Sequence, residues 1–131
     1  MYKTIICAIE ASKEGKAVLS KASELASKCG SRLIVIHVLP YKLLPKDYQK
    51  ELTESIAPKI VKMTDEFGIA KKDRIVKVGK PYELICKEAE KKKADLIILG
   101  THSKKGLSSL IGSTANSVVN YAGCDVSLVR V

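Results

Sequence analysis

The residues best suited to chemistry lie in one glycine-bearing segment, residues 100–116, with the sequence GTHSKKGLSSLIGSTAN. It follows a short apolar run and leads into a helical pattern that begins near Ser113. Glycine lets a backbone approach a ligand closely, and the free N–H groups and dipole at a helix start favour an anion. Two interpretations follow: a phosphate-binding loop, or an ordinary loop in which Ser113 or Thr114 caps the helix.

Other phosphate chemistry is poorly supported by the sequence. The chain has neither G-x-x-x-x-G-K-[ST] nor G-x-G-x-x-G, the motifs of nucleoside triphosphatases and dinucleotide-binding domains. A phosphorylated receiver domain needs a cluster of acids after its first strand, where this chain has only Glu10. His102 could donate to a phosphate, act as a general base or have no catalytic part, since no nucleophile with an orienting acid stands beside it. No set of residues in the chain therefore resembles an efficient hydrolase, and we do not expect an enzyme.

These residues need a scaffold, and the chain alternates short β-branched runs with longer helical patterns. Ser12 is suited to be an N-cap and Gly30 to end the first helix, whereas Pro58 predicts a kink or a late start in the second. The predicted strands are 2–9, 32–38, 74–78, 95–99 and 124–131, and the predicted helices are 12–29, 47–67, 81–93 and 113–122.

Alternation of this kind predicts an α/β fold, a doubly wound five-stranded parallel sheet with helices on both faces. The 131 residues suffice for one domain, residues 1–131. In such sheets ligands bind beyond the carboxyl ends of the strands, where the winding reverses. The loops after the first and fourth strands, residues 9–12 and 100–112, are therefore the places for a site.

The net charge of +9 raises the possibility of a nucleic-acid partner, but the basic residues are spread along the chain. Residues 1–41 carry 6 basic and 3 acidic groups, residues 42–93 carry 14 and 9, and residues 94–131 carry 3 and 2. Lysine outnumbers arginine, and aromatic residues make up only 5% of the chain, which leaves no platform for stacking bases. A nucleic-acid partner is therefore not favoured.

Membrane and disulfide classes are also disfavoured. No apolar run approaches the roughly 20 residues of a membrane span, and residues 1–10 resemble a first strand more than a signal peptide. The four cysteines, Cys7, Cys29, Cys86 and Cys124, are far apart and lie in apolar patterns. We expect them to be buried free thiols in a reducing cytoplasm.

Six segments, taken in order, resemble the universal stress protein family over essentially the whole chain. The family divides into members that bind ATP or AMP and members that do not. The segments are YKTII from Tyr2, IHV from Ile36, VGKP from Val78, ADLIILG from Ala94, GS at Gly112 and CDVSLVRV from Cys124. The resemblance implies a Rossmann-like fold, of the adenine nucleotide alpha hydrolase type, with strand order 3-2-1-4-5.

The chain departs from the binding members of that family at two points. Their loop has the pattern G-x2-G-x9-G-[ST], whereas this chain has Ser103 in place of the second glycine and a loop one residue shorter. Their acid after the first strand is Asp, and here it is Glu10, one methylene longer. Both departures favour the alternative of a family member that binds no nucleotide and serves as a protein-interaction module.

The resemblance implies a binding site position by position. Residues implied to contact the base, the ribose and the first phosphate are Ala8, Ile9, Glu10, Val38, Leu99 and Gly100. Residues implied to surround the phosphates and the following helix start are His102, Ser103, Gly112, Ser113, Thr114, Ala115 and Asn116. Glu10 has a second interpretation, as a solvated acid in the turn before Ser12.

The resemblance further implies a cytoplasmic stress-response protein that acts as a sensor or adaptor. Its ligand would be ATP or AMP, with or without Mg²⁺, and it would have a protein partner that the sequence does not name. Family members usually form homodimers through the last strand, here residues 124–131. An exposed edge of that kind invites pairing with a second copy, although an interior strand would have a similar sequence.

Overall fold

Each central strand of the sheet buries side chains on both faces, which explains its almost continuous apolar sequence. The computed structural model describes residues 1–40, 43–102 and 112–131. In the middle strand, Ile5 and Cys7 pack on one face and Ile6 packs on the other, and all three are fully buried. Successive side chains of a strand point to opposite faces, so a strand covered on both sides needs apolar residues throughout.

Strands and helices alternate along the described chain, and a short 3-10 turn, Lys71–Asp73, precedes the third strand. The strands are β1 (Thr4–Ala8), β2 (Arg32–Leu39), β3 (Arg74–Val78), β4 (Leu96–Thr101) and β5 (Asp125–Arg130). The helices are α1 (Lys13–Cys29), α2 (Lys46–Asp65), α3 (Pro81–Lys91) and α4 (Ser113–Tyr121).

The sheet has the strand order β3-β2-β1-β4-β5, and every neighbouring pair is parallel. Helices α1 and α2 cover one face through Val18 and Ile60, and α3 and α4 cover the other through Ile85 and Val118. The predicted doubly wound fold and strand order are confirmed. The winding reverses between β1 and β4, so their carboxyl ends border a crevice.

The predicted ends of α1 are confirmed. The Ser12 side chain accepts a hydrogen bond from the Gly15 N–H at 3.2 Å, which satisfies one of the unpaired donors of the first turn. Gly30 ends the helix with φ of 66°, and its N–H bonds to carbonyls of the last turn. Glycine adopts this left-handed conformation without steric cost.

Strand β4 runs further than predicted, because Gly100 and Thr101 belong to it and not to the loop. Gly100 pairs with Val129 and Thr101 pairs with Arg130 of β5, and the Val131 N–H donates to the Thr101 carbonyl at 3.0 Å. The last strand thus supplies partners for two residues that the sequence pattern assigns to the loop.

The late start predicted at Pro58 is wrong, since α2 is continuous from Lys46 to Asp65. Proline removes one helical donor and crowds the carbonyl four residues earlier, that of Glu54. Pro58 and Glu54 are both exposed, so water can bond to that carbonyl. Ile56 and Ile60, on either side of the proline, pack into the core and hold the helix on the sheet.

The four cysteines are free thiols as predicted, but only Cys7 is buried. Cys29, Cys86 and Cys124 are half-buried. Cys29 is the last residue of α1 and Cys124 directly precedes β5, so both lie at element ends where the core gives way to solvent. Burial alone raises the pKa of the Cys7 thiol to about 12, which makes it an inert core residue.

Candidate functional site

A cavity of about 300 Å³ lies at the carboxyl ends of β1, β2 and β4, where the winding of the sheet reverses. Its volume falls at the lower end of the roughly 300–1,000 Å³ typical of small-molecule sites. Most of its walls are aliphatic, and its charged and polar side chains are Glu10, Glu14, His37, His102 and Thr114. The described lining residues are Ala8, Ile9, Glu10, Glu14, Gly15, Val18, Ile36, His37, Val38, Pro40, Pro81, Ile85, Leu99, Gly100, His102, Thr114 and Val131.

The register of the sheet brings the floor of the cavity together. Ala8, the last residue of β1, pairs with Ile36 of β2 on one side and with Leu99 of β4 on the other. Gly100 follows Leu99, and a Cβ added to it would lie 2.8 Å from Val18 Cγ2. The missing side chain at position 100 therefore lets α1 pack closely against the end of β4.

Two polar side chains meet across the crevice. His102, just beyond β4, places its Nε2 3.3 Å from both carboxylate oxygens of Glu10, just beyond β1. Since a carboxylate only accepts, the imidazole N–H donates in this contact. Both side chains are more than half exposed, so the pair lies at the mouth of the cavity and not in its interior.

A second acid, Glu14, lines the same side of the cavity from the first turn of α1. A hydrogen bond from its own backbone N–H lowers the pKa of its carboxyl, and the Ser12 hydroxyl and the charge of His102 act in the same direction. The mouth thus carries two carboxylates and one imidazole within a short span of the sheet edge.

His37 of β2 holds the turn that follows β1. Its Nδ1 lies 2.7 Å from the Ile9 carbonyl oxygen, which requires that this nitrogen carry the proton. The Ile9 N–H in turn donates to the Ile36 carbonyl at 3.0 Å. The structural role that the sequence suggests for His37 agrees with this bond, although the residue also lines the cavity.

The start of α4 divides the residues that were predicted to surround the phosphates. Thr114 lines the cavity. Ala115 packs into the core with only 3% of its surface exposed, whereas Gly112, Ser113 and Asn116 are exposed and are absent from the described lining. Ser103 lies outside the described residues.

The N-cap of α4 is Gly112, and it makes no side-chain capping bond. The interpretation in which Ser113 or Thr114 caps the helix is therefore wrong, because both lie inside it. The N–H groups of a first turn have no partner within the helix, so those of α4 are left for a ligand or for water. The helix dipole places a partial positive charge at the amino terminus of a helix, so an anion is the preferred ligand there.

Several cavity residues were missed by sequence reasoning. They come from segments with no chemical motif: the end of β2 (Pro40), the start of α3 (Pro81), the first turns of α1 (Gly15) and the chain terminus (Val131). The parallel topology predicts that the loop after β2 shares the edge with those after β1 and β4, and this signal could have identified Pro40. Nothing local marks Val131.

No metal site accompanies this cavity among residues 1–40, 43–102 and 112–131, in which no three His, Cys, Asp or Glu side chains are placed to hold an ion. A search of the same residues finds no helix with the length and apolar character needed to cross a membrane.

Residues 1–130 match the universal stress protein family. The chain belongs to this family. A relative from Coxiella burnetii, universal stress protein A homolog 2, is 30% identical over 140 residues, which cover 99% of this chain and 96% of the relative.

Solved structures resemble this universal stress protein over its whole length. Hypothetical protein MJ0577 superposes with a TM-score of 0.82 at 25% identity, covering 100% of this chain and 97% of the other. A universal stress protein solved in complex with cAMP superposes with a TM-score of 0.74 at 21% identity, covering 98% and 97% of the two chains. At 21% identity, the likeness to the cAMP complex shows a shared fold and nothing further.

Proposed function

We propose that this universal stress protein binds an adenine nucleotide, ATP or AMP, in the cavity at the carboxyl ends of β1 and β4, and acts in the cytoplasm as a stress sensor or adaptor. The observation that carries the proposal is the cavity itself, which joins an aliphatic floor to the open helix start of α4. The cAMP complex of a protein with the same fold supports an adenine ligand.

The base and ribose lie on the aliphatic side. Ala8, Ile9 and Val38 give walls without charge, which suits a flat ring that gains from leaving water. Glu10 stands where the ribose leaves these walls, and its carboxylate accepts hydrogen bonds from hydroxyl groups. Leu99 and Gly100 lie between the base and the first phosphate.

The phosphates lie toward α4. Thr114, in the first turn of α4, lines the cavity, and in this proposal the free first-turn N–H groups of α4 bind the phosphates, with Gly112 and Asn116 at the border of the site. His102 donates from the other side, and Ser103, which the family resemblance implies for the phosphates, follows it in the sequence. A Mg²⁺ ion, where ATP brings one, is held chiefly by phosphate oxygens and water. We expect hydrolysis to be slow or absent, since no set of residues resembles an efficient hydrolase.

Calorimetric titration with AMP, ADP and ATP·Mg²⁺, beside thermal unfolding with the same ligands, tests the proposal. Binding to the folded state raises the unfolding midpoint in proportion to ligand saturation. We expect heat and stabilisation for at least one adenine nucleotide and neither for inorganic phosphate. Absence of both effects at millimolar nucleotide would overturn the proposal. Mass spectrometry of small molecules carried through purification gives an independent measurement.

The second candidate is a family member that binds no nucleotide and acts only through protein contacts. The observation that favours it is the Glu10–His102 contact, which spans the mouth of the cavity, together with the serine at position 103. The double variant Ser103→Gly, Glu10→Asp restores the second glycine and the aspartate of the binding members, and leaves the loop one residue shorter than theirs. If this candidate holds, the variant gains nucleotide binding that the unmodified protein lacks.

We also propose that the protein is a homodimer paired through its last strand. In the sheet of the described residues, β5 pairs with β4 and has no neighbour on its other side, and an open strand edge is a template for a second copy. Size-exclusion chromatography with light scattering tests this. The proposal predicts twice the 14.3 kDa mass of the chain; a single-chain mass contradicts it.

A further inference from the structure

Gly15, in the first turns of α1, has no space for a side chain. A Cβ built on it would lie 1.8 Å from the Glu10 carbonyl oxygen, 2.8 Å from its carbonyl carbon and 3.0 Å from its nitrogen. Ordinary contact begins at 3.4 Å. The neighbouring atoms are backbone, which cannot rotate aside as a side chain can. The backbone of Glu10 therefore occupies the position that any other residue at 15 would need.

Nothing else in the helix calls for glycine at this position. Among the glycines that the structure describes, Gly30 and Gly68 have positive φ, whereas Gly15 is helical. Glycine is a poor helix former because it loses more backbone entropy than other residues. Gly15 is also buried and lines the cavity. The close approach of the Glu10 backbone is the one local feature that accounts for it.

The turn after β1 is held from its other side as well. The His37 imidazole donates to the Ile9 carbonyl at 2.7 Å, and the Ile9 N–H donates to β2. The backbone of the next residue, Glu10, then packs against Gly15. With its backbone held between β2 and α1, the Glu10 carboxylate reaches His102 at 3.3 Å across the crevice.

We propose that Gly15 is a positioning residue for Glu10: its missing side chain lets the turn after β1 lie against α1, so that the Glu10 carboxylate meets His102 at the mouth of the cavity. This inference rests on the proposed function only for its effect on nucleotide binding. The geometry of the turn is testable without any ligand.

The first test is a double-mutant cycle on AMP affinity, measured by calorimetry. Gly15→Ala moves the Glu10 backbone and with it the carboxylate that is proposed to accept a hydrogen bond from a ribose hydroxyl. Loss of that one charge-assisted hydrogen bond should weaken AMP binding about tenfold. In a Glu10→Gln background the same change should have little further effect, because residues that act through one another are not additive. Gly123→Ala is the matched control, since a Cβ there meets nothing within 4 Å; it should leave AMP affinity unchanged.

Equal losses of affinity from Gly15→Ala with and without Glu10→Gln would overturn the proposal, as would unchanged affinity in Gly15→Ala. A purely structural role would lower the unfolding midpoint in both backgrounds without this coupling. Thermal unfolding of each variant therefore accompanies each titration.

The second test uses NMR on the protein without nucleotide. Gly15→Ala and Glu10→Gln should displace the ring signals of His102 in the same direction, and Gly123→Ala should not. In the unmodified protein, the α-protons of Gly15 should show a nuclear Overhauser effect to the Glu10 backbone, a measurement that holds even if Gly15→Ala fails to fold. Absence of this effect overturns the proposal. Should AMP fail to bind the unmodified protein while the NMR results appear, the proposed function fails and the positioning role stands.

Discussion

At the amino-terminal end of the sheet, polar side chains tie the strands to one another, whereas at the carboxyl-terminal end they surround a cavity. The Asp95 carboxylate accepts hydrogen bonds from the N–H groups of Lys3 and Thr4, both at 2.9 Å. The Arg32 guanidinium donates twice to Asp73, at 2.9 and 2.7 Å. These are short, charge-assisted bonds between residues far apart in sequence.

The charged side chains at the mouth of the cavity are held less firmly. Glu10 and His102 meet at 3.3 Å and are largely exposed. Water or a ligand can replace such a contact at little cost. Under the proposed function, one end of the sheet serves stability and the other serves binding, and ligand sites of parallel α/β sheets lie at the carboxyl ends of the strands.

The largest expected effect is on binding at the carboxyl-terminal end. Thr114→Glu places a carboxylate where a phosphate is proposed and should weaken AMP binding by about tenfold or more through like-charge repulsion. An acid in the first turn is favourable for the helix itself, so the unfolding midpoint should hold. Calorimetric titration measures the affinity.

Asn120→Glu is the control for that variant, because it adds the same charge to the same helix at an exposed position outside the described cavity lining. It should weaken AMP binding much less. Equal losses in the two variants would mean that the charge acts at long range, and would remove Thr114 from the proposed site.

The next effect is on stability at the amino-terminal end. Asp95→Ala leaves the N–H groups of Lys3 and Thr4 without their acceptor and should lower the unfolding midpoint by several degrees while AMP affinity is kept. Glu10→Ala should do the opposite, with affinity reduced and the midpoint nearly unchanged. Thermal unfolding and calorimetric titration of both variants measure these two effects. A similar loss of unfolding midpoint in both variants would contradict the assignment of stability to one end of the sheet and binding to the other.

The smallest effect is on the acid dependence of stability. Hydrogen bonds from Thr4 and Lys3 hold the pKa of Asp95 below its ordinary value of 3.8. Burial acts to raise the pKa of Glu88, but the Lys77 ammonium 2.6 Å away and the charges of Lys91 and Lys92 together outweigh it and leave the pKa below 4.5. Carboxyls with lowered pKa stabilise the fold above their unfolded pKa, and this stability is lost as the pH falls through the folded pKa.

Urea unfolding at about pH 6 and at about pH 3 measures this loss. The variants Asp95→Asn and Glu88→Gln should each be less stable than the parent protein near neutral pH, and each should lose less stability on acidification. An unchanged acid loss in both variants would assign the acid sensitivity to other carboxyls.

Much of the fold could be predicted because its signals are local. Continuous apolar runs predict buried parallel strands, and Ser12 and Gly30 mark the ends of α1 through their own side-chain and backbone chemistry. The errors lie where partners distant in sequence decide. Gly100 and Thr101 are strand residues because β5 pairs with them, and α2 continues through Pro58 because the core holds it on both sides.

The location of the candidate site was easier to predict than the set of residues that line it. The switch point and the family resemblance indicated the ends of β1 and β4, and eight of the residues named from them line the described cavity: Ala8, Ile9, Glu10, Val38, Leu99, Gly100, His102 and Thr114. Ala115 does not, because the turn of α4 points it into the core. Its place on the helix depends on how α4 packs, which a linear motif does not specify.

The sequence by itself determined the α/β architecture and the family, since both depend on residue types in order along the chain. Tertiary structure alone decided which groups meet at the edge of the sheet: His37 with the Ile9 carbonyl, Gly15 with the Glu10 backbone, and Glu10 with His102. The last pair is separated by 92 positions. Such contacts depend on the register of parallel strands and the approach of α1, and no local pattern encodes those distances.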